Sequence, residues 1–239
     1  MKNVAVIFAG GTGQRMNLGT KPKQFLTLYG KPILIYTLEV FQRSKDIDAI
    51  VLVTLEDWIE YAETLKEEYG LDKIVSMVPG GISGQMSICN GVMEARRLFG
   101  DDNIVLIHDG VRPVIDKELI HESVEAVKQY GSSITVSPAI ETLITTDSNG
   151  NLDGIIERSR CLNAKAPQSF ILGDICKAHE KAISENRMDF VDSACLMAHY
   201  GHCLHTIKGS YENIKITTSI DYYMFKALID AKEQKDVFS

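Results

Sequence analysis

The chain has 239 residues, 45% hydrophobic and 24% charged, with 25 Lys+Arg against 32 Asp+Glu for a formal net charge of −7. This is an ordinary globular balance; 18 Gly and 6 Pro exclude collagen-like and low-complexity chains. No apolar run reaches the roughly 18 residues that cross a bilayer, and the first one, 4–9, stops at Gly10-Gly11 without the length or cleavage site of a signal peptide. A cytoplasmic protein is expected, with no membrane partner.

Taken in order, residues 4–9, 49–54, 74–78 and 104–107 are continuous Val/Ile-rich runs. Strands buried on both faces of a parallel sheet have this composition. Helical patterns fall between them at 33–43, 57–69 and 87–99, and another follows at 117–130 with Asp116 placed to cap it. The alternation predicts a doubly wound, mostly parallel α/β sheet, to which 133–138 adds a strand. The pattern then changes. Residues 141–147 and 152–158 are short β-like runs around Ser148-Asn149-Gly150-Asn151, a strong turn sequence. They predict a β-hairpin arm, about 139–159, that projects from the domain and packs against something else. Helices near 173–184, 189–200 and 220–232 and a strand at 204–208 return to α/β character. With no repeat and no linker, residues 1–239 read as one domain with an arm.

Five cysteines (Cys89, Cys161, Cys176, Cys195 and Cys203) contain no C-x-x-C pair. Neither a zinc site nor a disulfide framework has this spacing, so reduced thiols are expected. Charge is distributed unevenly. The first 38 residues carry Lys2, Arg15, Lys21, Lys23 and Lys31 but no carboxylate before Glu39. An acidic chain with one cationic segment lacks the broad basic face of a nucleic-acid binder; it suits a small anionic ligand held at one place.

Phe8-Ala9-Gly10-Gly11-Thr12-Gly13-Gln14-Arg15-Met16 follows the first strand directly. Such glycines let backbone N–H groups approach phosphate oxygens. The segment is not a P-loop, because Gly-Lys-Ser/Thr is missing. It also lacks the last glycine of the dinucleotide fingerprint, and the acid expected about 20 residues on is absent. Lys21-Pro22-Lys23-Gln24-Phe25 comes next, so Arg15 and Lys23 flank a phosphate-cradling loop. A tight turn with solvated surface cations is the simpler alternative.

Together, Gly-Gly-Thr-Gly-Gln-Arg-Met and Pro-Lys-Gln-Phe resemble the cytidylyltransferases that act on polyol phosphates, those for methylerythritol phosphate and for ribitol 5-phosphate. Further matches follow in order: Gly80-Gly81 with Ser87, His108-Asp109-Gly110-Val111-Arg112-Pro113, Glu141-Thr142, Arg158, Pro167-Gln168-Ser169-Phe170 and Asn213-Ile214-Lys215-Ile216-Thr217-Thr218. The resemblance implies a Rossmann-like fold and a homodimer whose β-arms swap to complete each other's sites. It implies CTP as substrate, Mg²⁺ or another divalent cation on Asp109, and Arg15, Lys23 and Lys215 as catalytic cations. Nucleotide contacts would come from Ala9, Gly10, Gly11, Gly13, Gly80, Gly81, Ser87, Asp109 and Gly110, and acceptor contacts from Arg112, Thr142 and Arg158. Each has a plainer alternative: Asp109 as a turn cap, Arg112 as a structural ion-pair member, Ser87 as a helix cap, Thr142 and Arg158 as exposed strand residues. The chain also departs from the family pattern. Gly84 stands where an arginine is usual, Ala166 where threonine is usual, Glu141 for aspartate, and Ile144 for the lysine frequent in the isoprenoid enzymes. The expected reaction is transfer of CMP from CTP to a polyol phosphate, with ribitol 5-phosphate placed ahead of 2-C-methyl-D-erythritol 4-phosphate. A non-catalytic nucleotide-binding module and a nicotinamide oxidoreductase are the alternatives from other classes.

Overall fold

The computed structural model describes residues 1–11 and 21–238. Its first half comprises β1 (Asn3–Ala9), β2 (Thr27–Leu28), β3 (Lys31–Pro32), α1 (Ile33–Arg43), β4 (Ala49–Thr54), α2 (Ile59–Glu68), β5 (Ile74–Pro79), α3 (Gly84–Phe99), β6 (Ile104–Asp109) and α4 (Lys117–Tyr130). The second half comprises β7 (Ser132–Pro138), β8 (Leu143–Thr146), β9 (Leu152–Ile156), β10 (Leu162–Ile171), α5 (Leu172–Ser184), α6 (Ser193–His199), β11 (Thr206–Lys208) and α7 (Ser219–Phe238).

Seven strands form one sheet in the order β11-β7-β10-β6-β1-β4-β5. Neighbours are parallel throughout except where β10 runs antiparallel to β6 and β7. The doubly wound, mostly parallel sheet expected from the apolar runs is present. Strand β10 is the exception, because nothing in its sequence announces a central strand. Leu162–Ile171 contains Asn163, Lys165, Pro167, Gln168 and Ser169, and a proline within such a run argues against a central strand.

Alternation along the strands explains the layering. Ala5, Ile7, Ile50 and Leu52 face a cluster completed by Leu38 and Phe41 of α1, Leu65 of α2 and Val124 of α4. Val4, Val6, Val51 and Val53 face the opposite cluster, with Val92 of α3, Ile175 of α5 and Leu196 of α6. Each such side chain removed from water contributes about 1.5–3 kcal/mol, so both faces must be covered. A third cluster seats Phe225 of α7 on Ile216, Val111 and Ile33, which holds residue 216 against the chain that leaves β6.

Three helix starts differ from the sequence reading, and hydrogen bonding explains two of them. Helix α3 begins at Gly84, not 87, because the Ser83 side chain accepts from Met86 N (3.2 Å). Helix α6 begins at Ser193, not 189, because Asp192 caps it through Cys195 N (2.8 Å). Residues Glu56–Trp58 form a 3₁₀ turn ahead of α2. Asp116 caps α4 through Leu119 N (2.8 Å), as expected. Strands β8 and β9 make a two-stranded sheet of their own; the Asp147 carboxylate accepts from Asn149 N and Asn151 N and closes the turn.

After β1 the sheet is built outward through β4 and β5, and the chain then crosses back to place β6 on the other side of β1. Strand order therefore reverses at β1, and the carboxyl ends of β1 and β6 flank the crevice where ligands of open α/β sheets bind.

Candidate active site

Asp109 ends β6 at the floor of that crevice, and its side chain is only 7% exposed. Two cations share it. Arg112 Nε donates to Oδ2 at 2.7 Å, and Lys215 Nζ lies 2.5 Å from Oδ1. Burial would raise the Asp109 carboxyl, but Lys215 and Arg112 outweigh it and hold the group below the usual carboxylate value. Two cations on one carboxylate leave an excess positive charge facing the cleft, the polarity that attracts a polyanion. Lys215 reaches the site because Ile216 N donates to Val111 O (2.9 Å) and Arg112 Nη1 to Asn213 O (2.9 Å).

A cavity of about 450 Å³ opens beside Asp109, lined among others by Ala9, Gly10, Gly11, Lys23, Gly81 and Lys215. Its wall is two backbone runs in close approach. A Cβ on Gly80 would lie 3.1 Å from Ser87 Oγ and 3.3 Å from Gly10 Cα, so both runs need glycine here. Ser87 is not the cap of α3, which is Ser83. Its hydroxyl instead accepts from Gly81 N (3.0 Å) and donates to Ser83 O (2.9 Å), pinning the turn. Gly80 N donates to Thr54 O (2.7 Å) and Gly110 N to Phe8 O (2.9 Å), tying the loops to the strand ends. Lys23 stands on a 3₁₀ turn, Lys23–Phe25, anchored by fully buried Phe25, which stacks on Trp58 at 4.8 Å.

The fold thus gathers Ala9, Gly10, Gly11, Lys23, Gly80, Gly81, Ser87, Asp109, Gly110, Arg112 and Lys215 at one crevice. Arg15 and Gly13 lie outside the described residues. Thr142 and Arg158 are not brought in: both are exposed, and Arg158 donates to Ile140 O (3.2 Å) and lines a separate hollow at the base of the hairpin.

Several residues escaped the sequence reading. Gln24 is buried and donates to Ala9 O (2.5 Å), locking the Lys23 turn to the end of β1. Asn213 is buried, donates to Ala166 O (2.7 Å), and offers its own carbonyl to Arg112; its place inside Asn213-Ile214-Lys215 could have marked it. Lys165, Gln168 and Asp192 line a second cavity of about 250 Å³ that shares Asp109 and Lys215 with the first. Only tertiary contact assembles that wall.

Comparison with known proteins bears on this geometry. The family described as "IspD: 2-C-methyl-D-erythritol 4-phosphate cytidylyltransferase" matches residues 3–231. The chain belongs to this family. Among its members, a ribitol-5-phosphate cytidylyltransferase of Streptococcus agalactiae serotype V is 47% identical over 238 residues, covering 100% of this chain and 99% of the relative. A ribitol-5-phosphate cytidylyltransferase of Vibrio parahaemolyticus is 48% identical, with 99% of each chain covered. A 2-C-methyl-D-erythritol 4-phosphate cytidylyltransferase of Clostridium novyi is 36% identical over 96% of this chain and 97% of its own. The crystal structure of 4-diphosphocytidyl-2C-methyl-D-erythritol synthase from Anaerococcus prevotii superposes with a TM-score of 0.83 at 27% identity, covering 96% of each chain. Membership in the IspD family makes the chain a nucleotidyltransferase, and the nicotinamide and binding-only alternatives fall away.

Proposed function

We propose that this chain transfers CMP from CTP to ribitol 5-phosphate, forming CDP-ribitol and pyrophosphate. The observation that carries the reading is the Lys215–Asp109–Arg112 cluster at the strand-order reversal, beside a glycine-walled cavity that also holds Lys23. The choice of acceptor is supported by the 47–48% relatives, whose names specify ribitol 5-phosphate, against 36% for the methylerythritol-phosphate relative.

A phosphate monoester is largely dianionic at neutral pH, so the acceptor oxygen attacks the α-phosphorus without a general base. Pyrophosphate leaves in line. The work left to the protein is to hold two anions together and stabilise charge growing on the α-phosphoryl oxygens. Lys23, Lys215 and Arg15 take that role here. The backbone of Ala9–Gly11, Gly13, Gly80–Gly81 and Gly110, with the Ser87 hydroxyl, holds the nucleotide, and Arg112 faces the acceptor. Asp109 fits a divalent cation such as Mg²⁺. It is the one carboxylate among the described residues that line the larger cavity, its Oδ1 touches only Lys215, and Mg²⁺ takes most of its remaining ligands from phosphate and water. When bound, the ion neutralises triphosphate charge.

In this reading residues 1–239 are one domain, and the 139–159 arm reaches a second copy, so that Thr142 and Arg158 bind the acceptor's phosphate in the partner's site. Support comes from their distance from their own crevice and from exposed apolar residues on the arm: Ile144, Leu152 and Ile155 are 53%, 62% and 71% exposed. A cytoplasmic location agrees with five free cysteines and with the lack, among described residues, of a helix long and apolar enough to cross a membrane.

The test is pyrophosphate release with CTP, Mg²⁺ and each acceptor. Turnover with ribitol 5-phosphate, with methylerythritol phosphate used at least about tenfold less well in kcat/KM, is expected. The reverse order reassigns the acceptor, and no release with any polyol phosphate overturns the reaction.

A further inference from the structure

The smaller cavity has a charge that its own residues leave unbalanced. Asp109 is matched by Arg112 and Lys215. Asp192 accepts from Cys195 N with one oxygen and from Gln168 Nε2 with the other. Arg112 divides its donors between Asp109 and Asn213 O. Lys165 is different. Its ammonium is partly buried at the middle of β10 and meets only two neutral carbonyls, Tyr211 O and Asn213 O, each at 3.3 Å. Among the described residues it has no ion pair.

We propose that Lys165 binds the phosphate of the polyol-phosphate acceptor from within its own chain. The assignment rests on the cytidylyltransferase reading above and deepens it. Three cations, Arg112, Lys165 and Lys215, border this cavity against two carboxylates that are already engaged. Burial first, and then the charge of Arg112, hold the Lys165 ammonium below its usual pKa; a dianion placed between Lys165 and Arg112 relieves both effects. A primary ammonium with two long bonds to carbonyls retains a third N–H for that anion. Larger and smaller cavities share Phe8, Gly84, Asp109 and Lys215. A phosphate on Lys165 therefore lies in the compartment adjoining the nucleotide, where an attacking oxygen must be. A Cβ at Gly84 would meet nothing within 4 Å, so no side chain separates the compartments at that point.

The competing role is a brace: Lys165 would merely hold the 211–213 loop that positions Lys215. Steady-state kinetics separates the two. Wild-type turnover of CTP with ribitol 5-phosphate comes first, and its absence overturns both the reaction and this assignment. With turnover established, Lys165→Met keeps the aliphatic stem and removes the charge. Its expected effect is a rise of about 10- to 100-fold in KM for the acceptor, the range for losing one charged hydrogen bond, with KM for CTP within about twofold. Lys165→Arg is expected to recover most of the acceptor KM. Inorganic phosphate, used as an inhibitor competitive with the acceptor, is expected to weaken by about tenfold or more in Lys165→Met. A fall in kcat with acceptor KM and phosphate inhibition unchanged is the signature of a brace and overturns the proposal; so does an equal loss for CTP. Should Lys165→Met fail to fold, Lys165→Gln against Lys165→Arg gives the same contrast of charge at retained polarity.

Discussion

Lys215 and Lys23 come from opposite ends of the chain, yet both line one cavity beside Asp109. Replacing either with Met is expected to lower kcat for pyrophosphate release by about 10²–10³, the cost of one preorganised donor at developing charge. Calorimetric CTP binding in the same variants is expected to weaken far less. A near-normal kcat for Lys215→Met would remove it from the reaction. Two buried histidines set a different residue-scale property. Burial pushes His108 and His179 down to about 4 from an ordinary value of 6.5. Both bind protons more weakly folded than unfolded, so stability rises as pH climbs from about 4 to about 6.5 and levels off above. Each contributes at most about 3 kcal/mol to that rise. His179 Nε2 is buried with no hydrogen-bond partner, so His179→Leu is expected to shrink the gap between urea midpoints at pH 5 and pH 7. An unchanged gap would mean that His179 does not titrate across this range.

Helix starts distinguish structural caps from residues that also shape the site. Asp116 does one thing, accepting from Leu119 N at the start of α4. Asp116→Ala is therefore expected to cost about 1 kcal/mol in urea unfolding and leave turnover unchanged. Asp192 does two, capping α6 and holding Gln168 on the wall of the smaller cavity. Asp192→Ala is expected to cost a similar amount in stability and, in addition, to raise KM for the acceptor. Equal kinetics in the two variants would show that the Gln168 contact does not organise that wall. The same scale explains why β10 was missed: its outer half is exposed and polar, its inner half buried, and the pairing with β6 and β7 supplies what local propensity does not.

For the whole molecule, the arm is the part whose own chain does not account for it. It presents Ile144, Leu152 and Ile155 to solvent, an apolar surface of the kind that marks an interaction site. Sedimentation of the intact chain beside a version lacking 142–157 is expected to show a dimer and a monomer respectively, with acceptor turnover lost in the second. Monomers in both would end the swapped-arm reading. Assembly and catalysis are thus predicted to fail together, because Thr142 and Arg158 do not reach the crevice of their own subunit.

Read alone, the sequence was enough for the parallel strands, their flanking helices, the hairpin and the family, since these are written in local periodicity, in turn residues and in short motifs that keep their order. It also placed Asp109 at a strand end and named the cations that would surround it; Arg15 lies outside the described residues. What it could not supply was adjacency across long separations. That Lys215 touches Asp109, that Asn213 ties its loop to Ala166, that Ser83 rather than Ser87 caps α3, and that Lys165 stands without a carboxylate all depend on contacts between segments distant in the chain or on competing hydrogen bonds within a few residues. Burial and pairing energies of that kind are set by the packed three-dimensional arrangement, and no one-dimensional pattern encodes them.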